Sequence, residues 1–291
     1  MKKTLLIFVL LGFVFLLLGC SSNEESNQDS HFYFDLVDQS WYEQPKLLRV
    51  GMDLNYPPFE TITGDGTPTG ISVDIAYAFA RFIGRDVEIV NTDFGSLIPS
   101  IQAREIDIII ASMSITEQRM QTVDFSNPYF YFKIISLVNK DFAETHGLTS
   151  DSTKEELLAI DNVRYVGIAT QVSASIPRSL GKDVEEATDL GTAIELVSQG
   201  GADVLLMSAN PVVDGHKANP NSTIVLWDPF VSSPIGMAMT KQNDGLLNAA
   251  NQFIETMSYE NGLYDLLRQR WDTILQERLG RFGLDFYINE S

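Results

Sequence analysis

The residues best suited to bind a small anion lie just before and at Arg119. An apolar run at 107–111 predicts a buried strand, and hydroxyl side chains follow it at Ser112, Ser114 and Thr116. A helix that begins after an N-cap at Thr116 offers free backbone N–H groups to an anion, and Arg119 can donate two parallel hydrogen bonds to a carboxylate. The segment therefore predicts a carboxylate site. The alternative is an ordinary strand, turn and helix with a surface arginine.

The N-terminus has the composition of an export signal. Lys2 and Lys3 precede an uncharged and mostly apolar run at 4–18, which ends two residues before Cys20. The run is short for a membrane-spanning helix, and its end resembles the bacterial lipobox, in which the cysteine is lipidated. We therefore predict a lipoprotein signal peptide at 1–19 and a lipid anchor on Cys20. The alternative is an unmodified cysteine at the end of a membrane helix.

The segment 20–45 is predicted to be a tether. Cys20 is the only cysteine in the chain, which excludes an internal disulfide and a cysteine-rich zinc site. Residues 21–30 are polar and lack any apolar period, as is typical of a flexible linker. Aromatic residues return at 31–44 and can pack on the folded body or belong to the tether.

Composition indicates a globular protein that binds neither nucleic acid nor anionic lipid surfaces through charge. The 291 residues are 44% hydrophobic, which is enough for a body with two lobes. The formal charge is −19, and it becomes −21 when the two leader lysines are removed. Such a surface repels polyanions, so a bound anion must be held by a local cation such as Arg119.

Apolar strands alternate with helical stretches along the body. Strands are predicted at 47–52, 87–91, 107–111, 131–139, 164–169, 184–187, 203–207 and 223–227. Helices are predicted at 72–83, 96–104, 116–123, 173–180, 191–199 and 246–276. The alternation favours α/β units with parallel strands, and the long run at 131–139 is typical of a chain that crosses between lobes.

Five ordered segments resemble the bacterial extracellular solute-binding proteins of family 3, which serve ATP-binding-cassette uptake of polar amino acids. The segments are 48–60, 70–76, 94–100, 114–119 and 123–129, and the resemblance covers about 46–272. It implies an α/β, two-lobed periplasmic-binding-protein type II fold. Each lobe is expected to hold a mainly parallel sheet flanked by helices, and two crossover strands form the hinge.

The resemblance also implies domain bounds. Lobe 1 is expected at 46–137 and 234–272, with lobe 2 at 138–233 between the two parts. The remaining residues, 273–291, form a C-terminal extension to which the sequence assigns no role.

Carried over residue by residue, the resemblance assigns an anion site to both lobes. Arg119 clamps an α-carboxylate, assisted by Ser114 and by Ser173 at the start of a lobe 2 helix. Ser112, with the preceding backbone carbonyl, meets the ammonium group of the ligand, and Met113 completes this part of the predicted set.

Three further positions are assigned to the ligand's side chain. Tyr56 and Phe94 are expected to sandwich it, and their alternative is packing in the core. Asp53 can pair with a cationic side chain, hold its own loop or remain a solvated carboxylate.

The chain departs from the family pattern in lobe 2. Relatives offer an aspartate to the ammonium group five residues after the position of Asp203, where this chain has Ser208, and the segment 171–173 lacks the usual glycine. A serine cannot neutralise a buried ammonium. Either another polar residue replaces the aspartate, or the ligand lacks a free α-amino group. The candidate replacements are Asn210, Asp214 and Asp53.

The sequence thus predicts a non-enzymatic, monomeric substrate-binding lipoprotein that captures an amino acid or related small carboxylate for ABC permease subunits. It is expected to lie outside the cytoplasm, held at the membrane by its lipid. No cofactor or metal is predicted, because the three histidines lack the spacing of ligands. They are His31, His146 and His216.

Two alternatives use the same scaffold. An enzyme similar to the cyclohexadienyl dehydratases needs a general acid or base in the cleft, and Glu60 and Glu117 are the nearest carboxylates in the motifs. A sensor that presents its ligand to a receptor is the other alternative.

Overall fold

The computed structural model describes residues 47–280 and 282–290. The predicted leader, Cys20 and the whole predicted tether at 20–45 lie outside the described residues. Within the described residues, no helix combines the length and the apolar character needed to cross a bilayer.

The described residues form two five-stranded sheets and one short hairpin, flanked by helices. The strands are β1 (Leu47–Met52), β2 (Thr61–Ile62), β3 (Pro68–Thr69), β4 (Asp86–Asn91), β5 (Ile108–Ile109), β6 (Val123–Phe125), β7 (Phe130–Asn139), β8 (Tyr165–Ile168), β9 (Val184–Ala187), β10 (Val204–Ser208), β11 (Thr223–Ile235) and β12 (Ala238–Thr240). The helices are α1 (Ile71–Phe82), α2 (Leu97–Gln102), α3 (Glu117–Met120), α4 (Lys140–His146), α5 (Lys154–Leu158), α6 (Val172–Ser179), α7 (Leu190–Ser198), α8 (Ala209–Ala218), α9 (Asp244–Met257), α10 (Leu263–Leu279) and α11 (Asp285–Ile288).

Lobe 1 is built on the first sheet, whose strand order is β4-β1-β5-β12-β6. β1 is parallel to β4 and β5, and β12 is antiparallel to β5 and β6. Helix α1 packs its apolar face on this sheet, with Phe79 fully buried against Phe253 of α9.

Lobe 2 is built on the second sheet, whose strand order is β11-β7-β10-β8-β9. β8 is parallel to β9 and β10, whereas β7 is antiparallel to β10 and β11. Its core is a cluster of buried aliphatic and aromatic side chains that includes Val138, Leu157, Tyr165 and Leu206.

The long strands β7 and β11 connect the lobes. They pair antiparallel along most of their length, with a bulge between Leu226 and Val231. One end of the pair reaches lobe 1, where Ile235 forms a bridge with Ser114. The other end lies in the lobe 2 sheet beside β10. The prediction of a crossing strand at 131–139 is therefore confirmed.

The α/β two-lobed prediction is confirmed, but the sheets are mixed instead of mainly parallel. In each sheet, two of the four strand pairings are parallel and two are antiparallel. The antiparallel pairings involve the connecting strands β7 and β11 in lobe 2 and the strand β12 in lobe 1, which follows β11 along the chain. Sequence periodicity does not reveal strand direction.

Several element boundaries differ from the sequence prediction, and three of the differences have a clear physical description. The predicted helix at 246–276 is two helices, because Asn261 has a left-handed φ of 59° and Gly262 lies too close to the carbonyl of Met257 for a side chain. Helix α3 has only four residues. Strand β11 continues past Trp227 through two prolines, which it tolerates as the edge strand of its sheet. The domain bounds stay predictions, although α10 runs unbroken through the bound at 272.

Each lobe contains an arginine–aspartate pair with the same hydrogen-bonding pattern. In lobe 1, the backbone N–H and guanidinium of Arg49 donate to Asp107 at 2.7–3.2 Å. In lobe 2, the backbone N–H and guanidinium of Arg164 donate to Asp203 in the same pattern. The side chain of Asp203 is 6% exposed, so this buried carboxylate depends on the donors of Arg164 for its hydrogen bonds, and it supplies the acceptor for the Arg164 backbone N–H in return.

We expect Asp203→Ala to lower the free energy of unfolding by about 1–3 kcal/mol, because it leaves the Arg164 backbone N–H without a partner. Urea unfolding measures the loss. Glu186→Ala is the matched control, since its ion pair with Arg178 is 48% exposed on both sides and is worth at most about 1 kcal/mol. Equal losses in the two variants would contradict the role of Asp203.

Candidate ligand-binding site

A cavity of about 640 Å³ lies between the two lobes. Seven of the predicted ligand-binding residues line it: Asp53, Tyr56, Phe94, Ser112, Ser114, Arg119 and Ser208. The sequence prediction therefore located the cavity, while the role of each residue in binding stays a prediction.

The cavity lies where the carboxyl ends of the parallel strands meet. In lobe 1, Asp53 follows β1 and Ser112 follows β5. In lobe 2, Thr170 follows β8, Asp189 follows β9, and β10 ends at Ser208. This edge is the usual position of binding sites in open α/β sheets, because loops there are free to vary while the strands stay rigid.

Arg119 is held between the lobes by backbone acceptors. Its Nη1 donates to the carbonyl of Ser114 at 2.8 Å, and its Nη2 donates to the carbonyl of Thr170 in lobe 2 at 3.0 Å. The guanidinium carbon lies 5.2 Å from the centre of the Phe94 ring, within range of a cation–π interaction. Thr116 caps the short helix as predicted, since its hydroxyl accepts from the backbone N–H of Arg119 at 3.3 Å.

The charge of Arg119 has no carboxylate partner among the described residues. Burial lowers the pKa of Arg119 to about 10, because desolvation disfavours the charged form. The group still carries its charge at neutral pH. A guanidinium has five donors, and the two carbonyl contacts leave donors for an anion in the cavity.

Tyr56 and Ser208 connect the lobes on another side of the cavity. The hydroxyl groups of the two residues form a hydrogen bond. The Tyr56 ring stacks on Phe132 of β7, with centroids 6.4 Å apart and planes 15° apart. Burial is the main cause that raises the pKa of the Tyr56 hydroxyl, so this group stays neutral. Each lobe therefore offers one hydroxyl group to the cavity, and Ser208 of lobe 2 stands at the position where the resemblance implies an aspartate.

Glu60 is a buried carboxyl group in the cavity wall. Its Oε2 accepts from the Ser112 hydroxyl at 2.9 Å. Burial raises the pKa of Glu60 well above its ordinary value, and the hydrogen bond from Ser112 opposes this shift. Ser112 itself has a left-handed φ of 52°, which turns the chain away from β5 at the cavity.

Further carboxylates surround the cavity. Asp53 accepts from the backbone N–H of Phe94 at 3.1 Å and from the backbone of Asn55 at 3.2 Å, so it also holds the loop that carries Phe94. Asp189 caps α7 by accepting from Thr192, and these hydrogen bonds lower the pKa of Asp189. Asp93 completes the group. The described lining thus holds four carboxyl groups and one guanidinium.

Two predicted ligand-binding residues do not line the cavity. Ser173 is fully buried, and its hydroxyl accepts from the backbone N–H of Ile168 at 3.0 Å. Helix α6 starts one residue earlier than predicted, so Ser173 faces the sheet and Val172 lines the cavity in its place. Met113 is 1% exposed and packs in the core of lobe 1. Neither side chain lines the cavity, and the binding role of each residue stays a prediction.

Of the three candidate replacements for the aspartate that the resemblance implies, only one lines the cavity. Asn210 is buried and accepts from the Tyr287 hydroxyl at 3.0 Å, and Asp214 pairs with Arg278 at 2.9 Å. Neither residue lines the cavity, whereas Asp53 does. Glu117, one of the two candidate catalytic acids, is exposed in the first turn of α3 and lies outside the lining.

Sequence reasoning missed the contribution of lobe 2. Thr170, Thr188 and Asp189 line the cavity, and each follows a strand that the sequence did predict. The rule that sites lie beyond the carboxyl ends of parallel strands would have indicated them. No such rule indicates Phe132 of the hinge, because it lies within an apolar run on β7 whose pattern predicts a buried core residue. Among the described residues, no cluster of histidine, cysteine, aspartate or glutamate has the geometry of a metal site.

Comparison with known proteins gives a consistent result. Residues 48–273 match the family model described as bacterial extracellular solute-binding proteins, family 3. The chain is 28% identical over 225 residues to the L-cystine-binding protein TcyJ of Escherichia coli (strain K12), a match that covers 77% of this chain and 82% of the relative. It is 24% identical over 275 residues to the arginine-binding extracellular protein ArtP of Bacillus subtilis, covering 94% and 99%.

The fold is likewise that of a solved binding protein. The chain resembles the structure of an ancestral arginine-binding protein bound to arginine with a TM-score of 0.64 and 29% identity. The likeness covers 78% of this chain and 98% of that protein. The type II binding-protein fold expected from the sequence is confirmed.

We expect Glu60→Gln to change how stability depends on pH. The folded chain keeps Glu60 protonated at pH values where the unfolded carboxyl, with an ordinary pKa of 4.5, has ionised. The stability contributed by the neutral form is present below this pKa and is lost as pH rises toward the raised pKa. Glutamine cannot ionise, so the variant should gain stability relative to the parent as pH rises from about 5 to about 8.

Urea unfolding across this pH range measures the difference. Glu105→Gln is the control, because it removes an exposed carboxyl of the same lobe. If the free energies of unfolding of Glu60→Gln and the parent differ by the same amount at all pH values, Glu60 is not held neutral in the folded chain.

Proposed function

Because the chain belongs to the bacterial extracellular solute-binding proteins of family 3, we propose that it captures an amino acid with a cationic side chain between its lobes. The observation that carries the proposal is Arg119, a partly buried guanidinium without a carboxylate partner among the described residues that line the cavity. An α-carboxylate supplies the missing negative charge, and the fork of guanidinium donors matches its two oxygens.

The carboxylate lies between donors of both lobes in this proposal. Arg119 already contacts the backbone of lobe 1 and lobe 2. Gln171 and Val172 line the same cavity at the N-terminal end of α6. The first turn of a helix offers backbone N–H groups to an anion, and Val172 is the first residue of this turn. A ligand that contacts both lobes binds the closed arrangement better than the open one and therefore stabilises closure.

The cavity's charge favours a ligand with positive charge beyond the α-ammonium. Of the four carboxyl groups in the described lining, Glu60 is kept neutral by burial, which leaves Asp53, Asp93 and Asp189 against Arg119. The carboxylate of a zwitterionic amino acid would neutralise Arg119, and its ammonium group would neutralise one aspartate. A cationic side chain would neutralise a second aspartate. The arginine-binding relatives are consistent with this class of ligand.

The α-ammonium is compensated without the aspartate that Ser208 replaces. Tyr56 and Ser208 offer hydroxyl oxygens, and Asp53 supplies the charge from lobe 1. Asn210 and Asp214 do not serve, because each is held by a C-terminal side chain.

We also propose that the chain delivers its ligand to ABC permease subunits and does not transform it. Glu60 is the single motif carboxyl in the cavity that was a candidate acid, and its contact with Ser112 leaves it part of the wall. The lipobox-like end of the leader supports anchoring through Cys20 at the outer side of a membrane, with the monomeric body held by the tether.

We expect Arg119→Ala to weaken binding of L-arginine by about 2–5 kcal/mol, or at least about 30-fold in Kd, because it removes one partner of a desolvated ion pair. Isothermal titration calorimetry measures the loss. Arg104→Ala is the control, because Arg104 is an exposed arginine of the same lobe outside the cavity. Equal affinities in the two variants would rule out the clamp.

The charge of the ligand's side chain is tested with L-arginine and its neutral isostere L-citrulline. We expect L-arginine to bind at least about tenfold more tightly, the factor for one favourable interaction of about 1.4 kcal/mol with the aspartates. Titrations of the wild-type chain at one salt concentration give the ratio. Tighter binding of L-citrulline would keep the anion site but reject the cationic class.

A further inference from the structure

The C-terminal segment 273–290 contacts both lobes and the hinge. Helix α10 packs against α1 of lobe 1 and α8 of lobe 2, and α11 packs against the hinge strand β7. The family match ends at 273, so nearly all of the segment lies beyond it. We call residues 273–290, apart from the undescribed 281, the C-terminal segment.

Arg278 joins the two lobes with a single group. Its Nη1 donates to the carbonyl of Pro57 in lobe 1 at 2.8 Å and to the carboxylate of Asp214 in lobe 2 at 2.9 Å. Lys217 of α8 donates from its Nζ to the carbonyls of Glu277 and Arg278 at 2.9 and 2.8 Å. These contacts fix the end of α10 to lobe 2 while its guanidinium reaches lobe 1.

Tyr287 makes a second connection close to the cavity. It is 1% exposed, and its ring lies 5.0 Å from that of Phe59 in lobe 1 and 5.1 Å from that of Phe132 on β7. Its hydroxyl donates to Asn210 in lobe 2. Phe132 lines the cavity, and Asn210 follows Ser208 by two residues, so Tyr287 contacts residues directly behind the cavity wall.

Lys133 secures the end of the segment on the hinge. Its Nζ donates to Ser232 of β11 at 2.8 Å and to the carbonyls of Asn289 and Glu290 at 2.8 and 2.6 Å. All three donors of the buried ammonium are used. The chain end is therefore attached to both hinge strands.

We infer that the C-terminal segment is a clasp that stabilises the closed arrangement of the lobes, with Arg278 and Tyr287 as its positioning residues. Hinge opening moves Pro57 away from Asp214 and Phe59 away from Asn210, so each residue loses its contact with one lobe. Contacts made in one arrangement shift the equilibrium toward it. Because ligand binds between closed lobes, the clasp also slows ligand release. The inference holds whichever small molecule the cavity takes.

The clasp is tested by the distance between the lobes in protein stripped of small molecules. Spin labels at Ala103→Cys in lobe 1 and Asp183→Cys in lobe 2, both exposed positions, are introduced into the full chain with Cys20→Ser. Arg278→Ala should raise the ratio of long to short distances by about tenfold, the factor for a lost hydrogen bond to a charged group. Arg270→Ala is the matched control, since this arginine of α10 pairs with Asp74 within lobe 1.

A second pair of variants separates closure from folding. Tyr287→Phe keeps the ring contacts and loses only the hydrogen bond to Asn210, so it should shift the distances less than Tyr287→Ala. If Arg278→Ala and both Tyr287 variants give the distance distribution of Arg270→Ala, the clasp is rejected. If Arg278→Ala fails to fold, a shift in Tyr287→Phe supports the inference and its absence rejects it.

Discussion

The structure depends on one partly buried guanidinium that both lobes share. Arg119 is desolvated by closure, and peptide carbonyls of Ser114 and Thr170 solvate it where a carboxylate would neutralise it. Carbonyl dipoles offset only part of the cost of burying a charge. In the proposed function, an anion that enters the cavity offsets the remainder of this cost. The group that makes closure unfavourable without ligand would then make it favourable with a carboxylate ligand, and capture would be coupled to closure.

The local sequence around Arg119 follows from this requirement. Strand β5 has only two residues, and the left-handed Ser112 turns the chain toward the cavity. Thr116 then caps a helix of only four residues. This short helix holds Arg119 at the cavity, where its guanidinium contacts the backbone of both lobes. The segment thus has little regular structure, and its irregular backbone places one side chain at the cavity. Strained backbone conformations are common at functional sites.

The sequence predicted the local and periodic parts of this molecule well. Alternating apolar runs located most strands, and the family resemblance, together with the local pattern around Arg119, named seven residues that line the cavity. The errors arise from long-range contacts. Ser173, which the resemblance assigned to the anion, does not line the cavity, because a shift of one residue in the helix start decides which side chain faces the sheet. The engagement of Asn210 and Asp214 by residues about 64–77 positions away leaves no local pattern to read.

The resemblance implies an aspartate where this chain has Ser208, and this difference would change how lobe 2 contributes to recognition in the proposed function. A carboxylate at that position would draw the ammonium into lobe 2 by charge. The Ser208 hydroxyl instead bonds to Tyr56 across the cavity, so this contact depends on closure whatever the ligand's charge. Negative charge remains in the loops that follow β1 and β9, at Asp53 and Asp189. An aspartate at this position would contribute both to closure and to recognition of the ligand's charge. In this chain, the neutral hydroxyl pair contributes to closure, and carboxylates in separate loops would recognise the charge. A substitution in the hydroxyl pair can therefore alter closure without removing the carboxylates, and the reverse also holds.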